Sequence, residues 1–191
     1  MGRPLAFNHT TARDKALVLF WRKGYQATSL DDLLKAMEIS RSSFYATFVD
    51  KRSLFVCCLD LFTQRTQDVM RRACSELAPI DALQSFFERN IVGPRGSKAS
   101  WGCMLVNTVL EMADVDNELS ARASRHLANM QVTFEDCLLD AKCLPARAVE
   151  LAALLMLVNE GVRVASRRKL SPQEQLAPIE TTFRLLRSAI A

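Results

Sequence analysis

The chain has 191 residues, 49% hydrophobic and 24% charged, with only 6 Gly and 6 Pro, which suits one or two compact domains and excludes a disordered, collagen-like or disulfide-stapled chain. Apolar runs such as 103–106 and 151–158 fall well short of the roughly 20 residues that span a bilayer, and no signal-peptide pattern opens the chain, so no membrane partner and a cytoplasmic location are expected. The net charge of +4 lies wholly in residues 1–52, where nine Lys or Arg face five acids, while residues 53–191 carry 16 of each sign; a polyanionic partner for the first quarter is expected, a solvated basic face being the other reading of charge alone.

Apolar spacings of three and four dominate throughout, and strand-like alternation is nowhere sustained, so an all-α fold is expected. The first helix starts near Thr10 or Thr11, runs through Ala16, Leu17, Phe20 and Trp21, and stops at Gly24, where a left-handed cap is predicted. A second begins after Thr28 and Ser29, with Asp32 completing a capping-box pattern and Leu30, Leu33, Leu34 and Met37 on one face. Glu38, Ile39 and Ser40 form a short turn into a third helix over 41–48, capped by Ser40. That helix is too short to stand alone in water and must be held by Phe44 and Phe48, leaving Arg41, Ser42, Ser43 and Tyr45 on the opposite surface.

Asp50 caps a long fourth helix over 51–77 whose middle, 63–72, is polar. Further helices are predicted over 81–91, 102–113, 118–141, 146–168 and 173–190, with a loop at 92–100 and a possible kink at Pro178, making nine in all. The six cysteines (Cys57, Cys58, Cys74, Cys103, Cys137, Cys143) contain no C-x-x-C pair, and only His9 and His126 accompany them. They are read as free thiols, with no metal or cofactor implied.

Helix, tight turn and undersized second helix inside the basic quarter describe a helix-turn-helix, in which the second helix enters the DNA major groove. The segments at 24–29, 39–48 and 50–55 (GYQATS, ISRSSFYATF, DKRSLF) resemble the N-terminal domain of the TetR family of bacterial transcriptional regulators. The resemblance implies a helix-turn-helix DNA-binding domain over 1–52 and an effector-binding and dimerisation domain over 53–191. It also implies a homodimeric repressor that a small molecule releases from double-stranded operator DNA. Where the family usually places glycine in the turn, this chain has Glu38, at a cost of roughly 1 kcal/mol for a left-handed backbone, and with an acid brought near the DNA.

Arg41, Ser42 and Ser43, following Ser40, are the expected base readers, since Arg pairs bidentately with guanine. By resemblance Tyr45 and Lys51 contact phosphate, and the helix starts at Thr28-Ser29 and Asp50-Lys51 offer backbone N–H groups to phosphate oxygens. Arg3 is either a minor-groove arm or part of an inert tail. Leu151, Leu154, Leu155, Val158 and Val162, with Leu176, Ile179, Phe183, Leu186 and Ile190, suit a four-helix dimer bundle or an internal core.

Asn107, Thr108 and Glu111 interrupt an apolar helix and need partners or a cavity. Phe62, Phe86, Phe87, Trp101, Cys103, Met104, Asn107, Glu111, Phe134, Asn159 and Arg163 are the candidate effector pocket, a satisfied core being the alternative. Cys103, near a helix start, could be an oxidant- or electrophile-sensing thiol or a core residue. Asp114, Asp116 and Glu118 cluster without a nucleophile or base, so enzymatic activity is not expected. A helical ligand-binding protein without DNA binding is the remaining alternative.

Overall fold

A computed structural model describes residues 8–91, 100–168 and 170–190. Among these residues are nine α-helices and no strand: α1 (His9–Lys23), α2 (Leu30–Met37), α3 (Arg41–Thr47), α4 (Lys51–Glu76), α5 (Pro79–Ile91), α6 (Met104–Met112), α7 (Asn117–Asp140), α8 (Pro145–Ala165) and α9 (Pro172–Ile190). Arg3 and most of the expected 92–100 loop lie outside the described residues. The all-helical reading and the helix order agree with expectation. No described helix is long and apolar enough to cross a membrane.

The N-terminal caps explain the element starts. Asn8 accepts from the amides of Thr10 and Thr11 at 3.0 and 3.1 Å, so α1 begins slightly earlier than its threonines suggest. Ser29 and Asp32 complete the capping box of α2, Ser40 accepts from the Ser43 amide at 3.1 Å, and Asp50 accepts from the Ser53 amide at 2.7 Å. Glu38 adopts the left-handed conformation, φ 59 and ψ 43. Gly24 also has a positive φ, 86, but its ψ of 172 is extended and not left-handed helical. That conformation leaves the glycine open to close approach: a Cβ there would lie 2.9 Å from Oε2 of Glu111.

The helix-turn-helix core gathers Ala16, Leu17 and Phe20 of α1, Leu33 and Met37 of α2, Phe44 of α3, and Leu54 and Phe55 of α4, all buried. With 7 residues, α3 depends on this packing. Truncating the fully buried Phe44 to Ala would cost on the order of 3–5 kcal/mol. The helix α4 is continuous from Lys51 to Glu76 and enters both parts of the molecule, so the expected division at residue 52 falls within its first turn. In the body a chain of aromatic contacts, Phe86–Phe134, Phe134–Phe87 and Phe87–Phe183, with centroids 5.7, 5.6 and 5.3 Å apart, joins α5, α7 and α9.

The stripe expected at the dimer surface divides into two faces. Leu151, Ala152, Leu155, Ile179, Phe183 and Leu186 are buried within the chain, and Val158, Val162, Leu176 and Ile190 are half-buried. Leu154, Leu157, Gly161 and Val164 of α8, with Leu185 of α9, are exposed. A Cβ added at Gly161 would meet open space. α9 runs through Pro178 without interruption.

Candidate functional site

α3 presents Arg41, Ser42 and Tyr45 outward. Tyr45 is 53% exposed, its ring edge-on to Phe44 at 5.4 Å, so it is a surface aromatic supported from below. Arg41 Nη2 donates to Asp31 Oδ1 at 2.7 Å across the turn, on a solvent-exposed pair. The hydroxyls of Ser42 and Ser43 each lie 2.9 Å from Ser40 Oγ, a local cluster whose centre also caps the helix.

The start of α2 differs from expectation. Thr28 is fully buried; its hydroxyl donates to the Gly24 carbonyl at 2.6 Å and its amide to the Tyr25 carbonyl at 3.3 Å. The Ser29 amide donates to Asp32 at 3.0 Å. The capping box takes the Ser29 amide and the Tyr25 carbonyl takes the Thr28 amide, so both amides expected to face phosphate are already bonded within the chain. Lys23 and the Ser29 cap hold the Asp32 carboxyl well below the usual range.

Between α1 and α2 the turn is gripped from two sides. Lys51 Nζ donates to the carbonyls of Tyr25 and Thr28 at 3.1 and 3.0 Å and lies 4.1 Å from the Tyr25 ring centroid. Glu111, at the end of α6, accepts from the amides of Tyr25 and Gln26 at 3.0 and 2.8 Å. Burial pushes the Lys51 ammonium pKa down, and the Glu111 charge opposes that shift. Glu111 thus lies at the junction between α6 and the α1–α2 turn, its carboxylate taken up by backbone amides. Spacing along α6 correctly put Asn107 and Glu111 on one face, but that face is turned toward the reading head.

Other expected pocket residues share this junction. Trp21 Nε1 donates to the Gly102 carbonyl at 3.0 Å, and its ring meets Phe62 and Trp101 edge-on at 5.1 and 5.5 Å. Asn107 donates to the Trp101 carbonyl at 2.9 Å. Gly102, with φ 73, lets three groups converge: an added Cβ would lie 3.3 Å from both Arg163 O and Asn107 Oδ1 and 3.4 Å from Arg167 Nε. A third link ties Arg52 to Asp116 at 2.8 Å and Glu118 at 2.6 Å, which explains two acids of the expected cluster as partners of the head.

A cavity of about 340 Å³ lies between α4, α5 and α7. Of the expected pocket residues only Phe86 and Phe134 line it; Thr63, Thr66, Gln67, Met70, Arg71, Cys74, His126, Met130 and Thr133 complete it. The threonines concealed this in the sequence. Thr63 and Thr66 donate to the carbonyls of Leu59 and Phe62, at 3.0 and 2.9 Å, so their polarity is spent inside α4. His126 Nε2 lies 3.1 Å from Asp60 Oδ1, and Arg122 donates to both oxygens of the same carboxylate, at 3.0 and 2.7 Å. Burial raises the Asp60 pKa, but the hydrogen bonds and charges of Arg122 and His126 outweigh it, leaving the carboxyl below its ordinary range.

Cys103 and Met104 are buried at the start of α6, and Thr108 donates to the Met104 carbonyl at 2.8 Å. Arg163 is 5% exposed beside Cys103, and among the described residues its Nε has no hydrogen-bond partner. Burial pushes the guanidinium pKa down, and the Cys103 sulfur opposes the shift. One turn away, Asn159 Oδ1 is likewise unpartnered among the described residues, while its Nδ2 approaches Met130 Sδ at 3.9 Å.

The family model "Bacterial regulatory proteins, tetR family" matches residues 13–57, and "Transcriptional regulator LmrA/YxaF-like, C-terminal domain" matches residues 79–177. The HTH-type transcriptional repressor ComR of Escherichia coli (strain K12) is 28% identical over 96% of this chain and 91% of its own. The uncharacterized HTH-type transcriptional regulator YezE of Bacillus subtilis (strain 168) is 27% identical over 84% and 85%. Among solved structures, a cysteine mutant of the TetR family regulator CifR, complexed with 26bp double-strand operator DNA, superposes with a TM-score of 0.79 at 26% identity, covering 95% of this chain and 98% of that one. Because the C-terminal match alone spans half of the sequence and the tetR match covers the helix-turn-helix, the chain belongs to the TetR family of bacterial transcriptional regulators.

Proposed function

We propose that the chain is a homodimeric repressor that binds a palindromic operator in the cytoplasm and is released by a small effector. The observation that carries operator reading is the outward face of α3, anchored by buried Phe44, with Arg41, Ser42 and Tyr45 exposed on it. Each head reads one half-site, and a two-fold dimer sets the half-sites about one helical turn, or a multiple of it, apart. Arg41 exchanges Asp31 for a base edge; Tyr45 contacts phosphate. Lys51 acts chiefly by holding the α1–α2 turn, with its remaining N–H toward phosphate.

The effector enters the α4–α5–α7 cavity. Two Phe and two Met supply its apolar wall, while Gln67, Arg71 and His126 supply polar groups, a lining that suits a small, largely apolar molecule with a polar or anionic end. Binding favours the conformation whose heads no longer match the operator; equal affinity for both conformations would release nothing. Footprinting the DNA upstream of the gene, followed by anisotropy titrations on the protected site, tests the reading. Arg41→Ala is expected to lose about 1–3 kcal/mol of discrimination at one base position. Equal losses on operator and random DNA would remove Arg41 as a base reader, and absence of any protected site would favour a ligand-binding protein without DNA binding.

A second reading concerns Cys103. The buried Arg163, whose Nε has no hydrogen-bond partner among the described residues, lies beside it, and on this reading the cysteine serves as an oxidant or electrophile sensor. Release by hypochlorite and quinones is then lost in Cys103→Ser; unchanged release would leave Cys103 as a core residue.

A further inference from the structure

The C-terminal ends of α4 and α7 bring two thiols together. Cys74 Sγ and Cys137 Sγ are 3.6 Å apart and within hydrogen-bonding reach. Cys74 is exposed and lines the cavity, whereas Cys137 is buried. The two residues are 63 positions apart in the chain, so nothing local to either helix requires their meeting. Three of the other four cysteines, Cys58, Cys103 and Cys143, are buried, and Cys57 is half-buried.

We propose that Cys74 and Cys137 are a redox-active dithiol that closes to a disulfide by exchange with a low-molecular-weight disulfide, and that closure narrows the cavity between α4 and α7. The roles follow from access. Cys74, facing solvent and cavity, attacks the incoming disulfide RSSR, forming Cys74–S–S–R and releasing RSH. Cys137 then attacks the Cys74 sulfur, the mixed disulfide breaks, and a second RSH leaves. Two protein thiols are oxidised, one disulfide is reduced to two thiols, and both protons depart with the released thiols.

Burial, and then the hydrogen bond with Cys74, push the Cys137 thiol pKa up. Cys137, buried and the harder thiol to deprotonate, therefore acts second, on the mixed disulfide that exposed Cys74 has already formed. A disulfide needs the sulfurs at about 2.05 Å, so closure brings them about 1.5 Å nearer and ties the ends of α4 and α7 to each other at the cavity wall. Bond formation stands independently of the effector reading; its consequence for release rests on that reading.

The test equilibrates the full-length protein in glutathione buffers from fully reduced to fully oxidised, followed by acid quench, N-ethylmaleimide and peptide mass spectrometry. Expected are the loss of two alkylatable thiols and a linked peptide pair containing Cys74 and Cys137. Cys137→Ala should accumulate glutathione on Cys74, and Cys74→Ser, at an exposed position, should accumulate none on Cys137. Six alkylatable thiols at every poise, or linkage through a different pair, would overturn the proposal. For the cavity, binding of 1-anilinonaphthalene-8-sulfonate is expected to weaken about tenfold on oxidation in the wild type and to stay constant in Cys74→Ser. If the reduced protein binds no dye, the cavity is not an apolar site and the effector reading falls while the thiol result stands; if the oxidised protein binds it as tightly as the reduced, narrowing is refuted.

Discussion

Glu38 occupies a backbone conformation that a Cβ resists, and its carboxylate reaches back to Lys15 at 2.8 Å. The acid that the turn introduces is therefore tied to α1. Left-handed φ/ψ costs a non-glycine residue roughly 1–2 kcal/mol, whereas an exposed ion pair is worth less than about 1 kcal/mol. Glu38→Gly is accordingly expected to raise stability by about 0.5–1 kcal/mol, read as a higher urea midpoint at unchanged slope; a lower midpoint would show that the Lys15 pair outweighs the strain. Position, turn and backbone state of Glu38 were legible in the sequence because they follow from local spacing. Glu111, Thr63 and Thr66 were not. Periodicity says which residues share a face but not what that face meets, and a threonine reads as polar even where its hydroxyl is spent on its own helix.

At the scale of elements, the α1–α2 turn is held by an anion from α6 and a cation from α4. Glu111 collects two amides and Lys51 two carbonyls, so the turn's polar backbone is satisfied by side chains from outside the helices it joins. Hydrogen bonds to a charged group contribute about 1.5–3 kcal/mol. Glu111→Ala should then speed hydrogen exchange at the Tyr25 and Gln26 amides by about ten- to a hundredfold while leaving α7 amides protected as before. Unaltered protection at those two amides would mean that the carboxylate merely fills space. The capping box that starts α2 was visible in the sequence, since a cap needs only three or four consecutive residues; the Glu111 grip on the turn joins positions more than 80 apart and leaves no local trace.

For the whole molecule, the exposed residues Leu154, Leu157, Gly161 and Val164 recur every three or four positions along α8, the spacing of a helix-pairing seam. Leu157→Glu is expected to yield a monomer by sedimentation and to weaken operator binding about a hundredfold or more, because the second head loses its effective concentration. A dimer of unchanged affinity would exclude this face. The charge split at residue 52 also gains a boundary condition: Arg52, counted with the basic quarter, is neutralised by Asp116 and Glu118 of the body, so its charge binds the two parts to each other. Finally, α4 has 26 residues without a break and is about 39 Å long, with Lys51 at one end and Cys74 near the other. Such a rod is a lever. Tilting it by about 5° about its cavity end sweeps the other end through about 3 Å, close to one base-pair step of about 3.4 Å. Two such levers moving symmetrically would take the heads out of register with a helical repeat before either reading helix had changed shape.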